Sequence, residues 1–183
     1  PWERTYHVAE LRFPYLILFG GEGVSDLDDL WIFNFNTHSW TEVKSDKDAV
    51  KPCARRFHSS CLIGNEMFII AGCYGKYRCL NDVYSLDLTP LIETNSTKDL
   101  KWVERKLKGS SFLSRWGHSS VVYDNKIYVF AGRFSNDLND LLVIDVTNNS
   151  LKGLKIGGNV LDHPKPRRRH SAGFVGSCMI TFG

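Results

Sequence analysis

The amino-acid sequence predicts an all-β protein built from repeated four-stranded antiparallel units. Three observations predict it: a histidine motif that recurs in constant register, alternating apolar runs that follow each copy, and almost no apolar stripe with helical spacing. Apolar residues make up 43% of the 183 residues and aromatic residues 13%, which indicates a packed core and excludes a disordered chain. No apolar run approaches the length that spans a membrane.

An Arg-x-x-His motif occurs four times, and its histidines lie 51, 60 and 52 residues apart. Thirteen positions after each histidine comes a small residue at the end of an apolar run, and a glycine follows that residue in three copies. The four copies are Arg4–His7, Arg55–His58, Arg115–His118 and Arg167–His170. The spacing within each copy is constant, whereas the distance between copies varies, and this indicates a structural repeat.

Three copies continue with Leu-[Asp/Asn]-Asp, then an alternating run, then a Trp or Leu. In the alternating runs every second residue is apolar, as in a strand with one buried face. The runs are WIFNF from Trp31, YSLDL from Tyr84 and LVIDV from Leu142, and the residues after them are Trp40, Trp102 and Leu151. Each unit is therefore expected to hold four short strands.

Four antiparallel strands repeated at about 50 residues are typical of a β-propeller blade. The Gly-Gly and Ala-Gly pairs, followed by a Trp in two copies and by Leu151 in the third, resemble the repeats of the kelch family over essentially the whole chain. That resemblance implies a partial β-propeller of about three and a half kelch blades. Its units are expected at residues 4–50, 51–110 and 111–163, with the start of a further blade at 164–183. Since a ring needs at least four blades, we expect the chain to be part of a longer protein.

The repeated residues are expected to serve the framework. The resemblance implies that each histidine is hydrogen-bonded within its blade, and blade symmetry gives no reason for histidines to converge on a metal ion, so no metal or other cofactor is expected. The glycine pairs are expected to allow a positive φ or a close approach of the backbone. The aspartate of Leu-x-Asp is expected to cap its own loop.

Residues that differ between units are better candidates for function. Successive loops of an antiparallel blade alternate between its two ends, so the loop before each histidine and the loop after each glycine pair share one face. The loops before the histidines carry net charges of +3 (44–57), +3 (104–116) and +4 (155–169), against +3 for the whole chain. Arginine and aromatic residues are enriched at interface centres. The predicted partner-binding residues are Arg56, Tyr74, Lys76, Tyr77, Arg78, Arg115, Trp116, Arg133, Phe134 and Arg168.

The resemblance implies a protein-interaction module, as part of a scaffold or of a substrate adaptor of a ubiquitin ligase. We expect a protein or peptide partner, acidic or phosphorylated, bound through the basic loops. The alternatives are a propeller attached to an enzyme and a metal-assisted kelch enzyme, although no catalytic residues are identified. Nucleic-acid binding is disfavoured because the basic residues lie among acidic ones, and no membrane association is expected.

The five cysteines have no metal-ligand spacing, and their odd number suits reduced thiols in the cytoplasm or nucleus. Cys73 and Cys79 flank one loop and have the spacing for a disulfide, although an intracellular location favours thiols there too.

Overall fold

The computed structural model describes residues 1–46 and 48–183. The described residues form two four-stranded sheets, a five-stranded sheet with four antiparallel strands, and two two-stranded sheets, of which one begins the fourth unit. The chain thus folds as consecutive propeller blades. The first blade consists of β1 (Val8–Arg12), β2 (Tyr15–Glu22), β3 (Asp26–Asn34) and β4 (Ser39–Val43), hydrogen-bonded in that order. The turn between β1 and β2 contains a cis peptide bond between Phe13 and Pro14.

The second blade consists of β5 (Ser59–Ile63), β6 (Glu66–Ile70), β9 (Val83–Asp87) and β10 (Trp102–Glu104). A small hairpin of β7 (Cys73–Tyr74) and β8 (Arg78–Cys79) occupies the loop between its second and third strands. The long insert between its third and fourth strands begins with the helix α1 (Thr89–Thr94). Helix forms there because a proline stands in its first turn and Leu91 is buried against the core. The periodicity of so short a segment could not show this.

The third blade consists of β12 (Ser119–Tyr123), β13 (Lys126–Arg133), β14 (Asp137–Asp145) and β15 (Ser150–Leu154). The connection from the second blade adds the short strand β11 (Lys108–Gly109), which pairs in parallel with β15. A 3-10 turn (Val160–Asp162) precedes the fourth unit, whose strands are β16 (Ser171–Val175) and β17 (Cys178–Phe182).

The core lies between blades rather than within one of them. Along β6, Met67 and Ile69 pack against the first blade, whereas Phe68 and Ile70 pack against the third. Successive side chains of a strand point to opposite faces, so a strand of a middle blade must be apolar on both. This explains why β6 reads as a continuous apolar run.

The glycine at the second position of each Gly-Gly or Ala-Gly pair lies where the backbone of its own blade passes very close. Gly132 has a φ of 94°, and a Cβ atom there would lie 2.8 Å from the Cβ atom of His118. Gly21 and Gly72 show the same contact with His7 and His58. The prediction of a positive φ and a close approach at the glycine pairs is confirmed at these positions.

Candidate protein-interaction face

The arginine of each Arg-x-x-His motif holds its blade together from inside. In the second blade the Nη1 and Nη2 atoms of Arg55 lie 2.6 and 2.8 Å from the two carboxylate oxygens of Asp82, and Nη1 also donates to the carbonyl of Ala71 at 3.0 Å. Arg115 contacts Asp140 and Ala131 in the same way. A bidentate pair fixes both position and orientation.

Two sequence predictions are corrected by this arrangement. The aspartates of Leu-x-Asp were expected to cap their own loops, but Asp29, Asp82 and Asp140 accept the framework arginines instead. Arg115 was expected to contact a partner, but its side chain is 0% exposed and donates its hydrogen bonds inside the third blade. Arginine is a common residue at interfaces, but the first position of the motif places this arginine in the framework.

The histidines join neighbouring blades. Nε2 of His118 is hydrogen-bonded to Oγ of Ser59 in the preceding blade at 2.7 Å, and His170 contacts Ser119 likewise at 2.8 Å. The expected hydrogen bond within one blade is therefore a bond between blades. The pKa of His58 and that of His118 are both lowered to about 3, mainly by burial and then by the positive charge of the arginine that begins each motif, Arg55 or Arg115. Both rings are therefore neutral near pH 7. His58 has no such serine because Val8 occupies the matching position.

The residue immediately before each histidine lies near the propeller axis with a positive φ. The backbone links these positions in turn: Phe57 N–H donates to the carbonyl of Tyr6, Gly117 to that of Phe57, and Arg169 to that of Gly117. Gly117 has no side chain, and a Cβ atom there would lie 3.4 Å from Cγ of Arg169. The Arg169 side chain therefore packs directly against the backbone of Gly117.

Arg169 lies over a cluster of aromatic rings. Its guanidinium carbon is 4.5 Å from the ring centre of Phe57, 5.4 Å from that of Trp116 and 5.6 Å from that of Tyr6. Among residues 1–46 and 48–183, Arg169 makes no ion pair with a carboxylate. Stacking holds the guanidinium in place and leaves its N–H groups free to donate.

The hairpin β7–β8 forms a wall beside this cluster. The ring centre of Tyr77 lies 5.5 Å from that of Trp116, and the guanidinium of Arg56 lies 5.5 Å from the Tyr77 ring. Arg56 Nη2 also donates to the carbonyl of Gly75 at 2.8 Å, and Gly75 N–H donates to Asp26. The hairpin is therefore attached to the first and second blades through Arg56 and Asp26.

A cavity of about 390 Å³ opens between the hairpin and the third and fourth units. Five predicted partner-binding residues line it together with two others that were not predicted. The lining consists of Tyr77, Trp116, Arg133, Phe134, Ser135, Arg168 and Arg169. We call these seven residues the axial site. Three further predicted residues, Tyr74, Lys76 and Arg78, lie on the hairpin outside it, and Arg56 reaches it only through Tyr77.

The charge on this face is smaller than the sequence indicated, because carboxylates lie on the same face. Asp137 accepts two contacts from Arg168 at 2.6 and 2.7 Å and lies 3.4 Å from Arg133, so two cations share one anion. Hydrogen bonding to Arg168 lowers the pKa of Asp137. Arg56 is instead shared by Asp26 and Glu22. Excess positive charge therefore lies at the axial site and not beside the first blade.

Arg169 is the main residue that sequence reasoning missed. It was counted in the basic loop 155–169 but was not selected. Its signal is its position before the histidine, which differs from unit to unit as Tyr6, Phe57, Gly117 and Arg169. Lys47, counted in the loop 44–57, lies outside the described residues.

All five cysteines are free thiols in the structure. Within the part of the chain that the structure describes, no three His, Cys, Asp or Glu residues are grouped so as to hold a metal ion. No helix in those residues is both long enough and apolar enough to cross a membrane.

Comparison with known proteins agrees with the fold. The model of the KLHDC2/KLHL20/DRC7 Kelch-repeats domain matches residues 1–183. The chain is 30% identical over 155 residues to the leucine-zipper-like transcriptional regulator 1 homolog of Drosophila melanogaster, covering 81% of this chain and 15% of that protein.

Two further relatives show the same relationship. Kelch domain-containing protein 3 of Rattus norvegicus is 32% identical over 137 residues, covering 73% of this chain and 33% of that protein. Host cell factor 1 of Homo sapiens is 28% identical over 186 residues, covering 92% of this chain and 9% of that protein. The chain thus spans a third or less of the length of each of these three relatives. From the matched domain and the repeated blades, the chain belongs to the kelch-repeat family.

Proposed function

We propose that this chain is a protein-interaction module whose axial site binds an acidic or phosphorylated segment of a partner protein. Kelch-repeat domains typically serve protein–protein interaction, and they are generally not enzymes. The observation that carries the proposal is Arg169, a guanidinium held on three aromatic rings without a carboxylate partner among the described residues. Such a group donates to a carboxylate or a phosphate with little loss of side-chain conformational entropy on binding.

The surroundings of Arg169 support a peptide ligand. Phe134 is 46% exposed and Tyr77 57% exposed, so both rings offer apolar area beside the charge. Among residues 1–46 and 48–183, Arg133 and Arg168 pair with no carboxylate other than Asp137, and each side chain is 36% exposed. The complementary segment carries acidic groups next to an apolar residue, which buries against the rings while the charges meet the arginines.

The wider setting is part of the same proposal. An interaction module of this kind fits a scaffold, or a substrate adaptor of a ubiquitin ligase, within a larger protein. Five free thiols favour a reducing compartment, the cytoplasm or the nucleus. The buried, neutral histidines of the repeat are poorly placed for acid–base catalysis, which favours binding over an enzymatic function.

The test compares labelled peptide pools by fluorescence anisotropy. One pool is rich in Asp and Glu, one contains phosphoserine, and one is rich in Lys, all with the same apolar residues. We expect the acidic and phosphorylated pools to bind and the Lys-rich pool not to bind, with affinity falling as salt rises.

The variant Arg168→Ala/Arg169→Ala is expected to weaken binding by about tenfold or more. The matched control is Lys98→Ala/Lys101→Ala, which removes the same charge away from the axial site, where both lysines lie beside an outer cavity. Equal binding of all three pools, or equal weakening by the two double variants, would contradict the proposal.

A further inference from the structure

Cys73 and Cys79 stand opposite one another at the base of the hairpin β7–β8. They are paired directly across the two antiparallel strands. The N–H of Leu80 donates to the carbonyl of Gly72 at 2.9 Å, one residue beyond the pair, while the N–H of Cys73 turns away to the carbonyl of Arg56. This is the pattern of a non-hydrogen-bonded pair, in which the Cα atoms are about 4.5 Å apart and the side chains lie on the same face.

That spacing suits a disulfide bond, whose Cα atoms usually lie about 4.4–6.8 Å apart. The two thiols also share surroundings, since Cys79 is packed against the cluster of Cys73, Phe57 and Trp116. Cys73 is buried, whereas Cys79 is partly exposed and so reachable from solvent.

The segment between the two cysteines belongs to the proposed binding face. It carries Tyr77, which lines the axial site, and Gly75, whose carbonyl accepts from Arg56. The strands β7 and β8 pair at only two positions, and one further backbone bond, from Leu80 to Gly72, closes the base of the hairpin. A covalent link at its base would therefore restrict the wall of the axial site.

We propose that Cys73 and Cys79 form an oxidisable dithiol, which closes to a disulfide on reaction with a low-molecular-weight disulfide and locks the wall of the axial site. The lock concerns the hairpin alone, and any effect of it on ligand binding rests on the proposed function. The reduced pair is the form present in the structure.

The reaction is thiol–disulfide exchange in two steps. The Cys79 thiolate attacks one sulfur of the external disulfide and expels a thiolate, which leaves a mixed disulfide on Cys79. The Cys73 thiolate then attacks the Cys79 sulfur and expels the second thiolate. Two protein thiols lose two electrons, the external disulfide gains them and becomes two thiols, and the two protons pass to those thiols.

The exchange is slow at neutral pH. Burial raises the pKa of Cys79 and raises that of Cys73 to about 12, so the thiolate fraction is small. Around Cys73, Arg56 acts to lower the pKa, and Cys79, Asp26 and Glu22 act to raise it. The same burial protects Cys73 from unspecific modification, to which the exposed Cys53 and Cys178 are open.

The experiment treats the protein carrying Cys53→Ser and Cys178→Ser with oxidised glutathione at pH 8.5. Remaining thiols are then alkylated, and the peptides are mapped by mass spectrometry without reduction. We expect a linked pair of peptides joined through Cys73 and Cys79, reversed by dithiothreitol. Free, alkylated Cys73 and Cys79 in a protein that remains folded would overturn the proposal.

Two further measurements separate the dithiol from the proposed function. In the same background, Cys79→Ser must not form the link, and amide hydrogen exchange over residues 74–78 should slow by about tenfold on oxidation only when both cysteines are present. Unchanged exchange in the linked protein would overturn the locking.

The acidic peptide pool is then measured with both redox forms. A change in affinity on oxidation, reversed by dithiothreitol, supports control of the axial site, whereas equal affinity for the two forms overturns it. If neither form binds the pool, the proposed function fails while the mapped disulfide stands.

Discussion

Arg55 and Arg56 are neighbours in the chain and both are largely buried, yet one holds its own blade together and the other joins the hairpin to the preceding blade. Arg55 is 0% exposed and is bound by Asp82 within its own blade. Arg56 contacts Asp26 of the preceding blade and holds the hairpin through Gly75. The same division separates Arg115 from Trp116 and Arg167 from Arg168 and Arg169. Within one four-residue motif, the arginine holds its own blade together and the histidine joins it to the neighbouring blade. The two residues between them lie at the axial site or beside it.

The difference follows from where each side chain of the motif points. The first arginine points back into its blade and donates to the carbonyl of the small residue sixteen positions later, as Arg55 does to Ala71 and Arg167 to Gly183. The second residue is bonded through its backbone within its own blade, as Arg56 is to Cys73 and Trp116 to Arg133. The third residue is bonded through its backbone to the neighbouring blade, so the side chains at both positions are free to differ. Variation is tolerated where the backbone alone supplies the contact.

The largest effect is expected from Arg115→Met, which breaks the framework of the third blade. The substitution leaves the Asp140 carboxylate and the Ala131 carbonyl without their donor. Removing one partner of a buried ion pair costs about 3–5 kcal/mol, although Asp140 is 40% exposed and recovers part of this from water. Urea unfolding measures it, and a loss below about 1 kcal/mol would contradict the framework role.

The next largest effect is expected from Gly132→Ala. The new Cβ atom would lie 2.8 Å from the Cβ atom of His118 at a φ of 94°, so the blade must shift. We expect a loss of about 3 kcal/mol in the free energy of unfolding. The matched control is Gly157→Ala, which meets no atom within 4 Å, and thermal unfolding should separate the two clearly.

A smaller effect is expected from pH acting on the histidines between blades. His58 and His118 have pKa values of about 3 when folded and about 6.5 when unfolded, so below pH 6.5 only the unfolded chain takes up protons. The free energy of unfolding should therefore fall as pH falls, by about 1.4 kcal/mol per unit for each histidine. In His118→Gln the slope between pH 6.5 and 5.5 should be reduced, and an unchanged slope would contradict the role of His118.

The smallest effect on stability is expected at the axial site itself. Arg169 is exposed and makes no ion pair among the described residues, so Arg169→Ala should change the free energy of unfolding by about 0.5 kcal/mol or less. Its effect should appear in binding of the acidic peptide pool instead. A large loss of stability with unchanged binding would assign Arg169 to the framework and erase the distinction between the two positions.

Much of the fold was predictable from local patterns. The histidine register, the alternating runs beginning at Trp31, Tyr84 and Leu142 and the glycine pairs predicted blades of four strands, because strand period and turn chemistry are local properties. The helix α1 was missed because six residues are too few for a periodic signal, and its formation depends on burial of Leu91.

The candidate site was predictable only in part. The hairpin residues and Arg133, Phe134 and Arg168 were selected because they vary between units, and the structure places several of them around one cavity. Arg115 was selected for the same chemistry and is buried. Arg169 was not predicted, because its role depends on stacking against rings of other blades, which lie far from it in the sequence.

The sequence by itself determined the repeat, the strands and the family, since these depend on spacing along the chain. The tertiary structure decided which arginines are internal, which carboxylates neutralise the basic loops, and that Cys73 and Cys79 face one another across a hairpin. Residues as far apart in sequence as Tyr6 and Arg169 meet only when the blades are assembled around the axis. Ion pairing and stacking act over a few ångströms in space, and separation along the chain does not measure that distance.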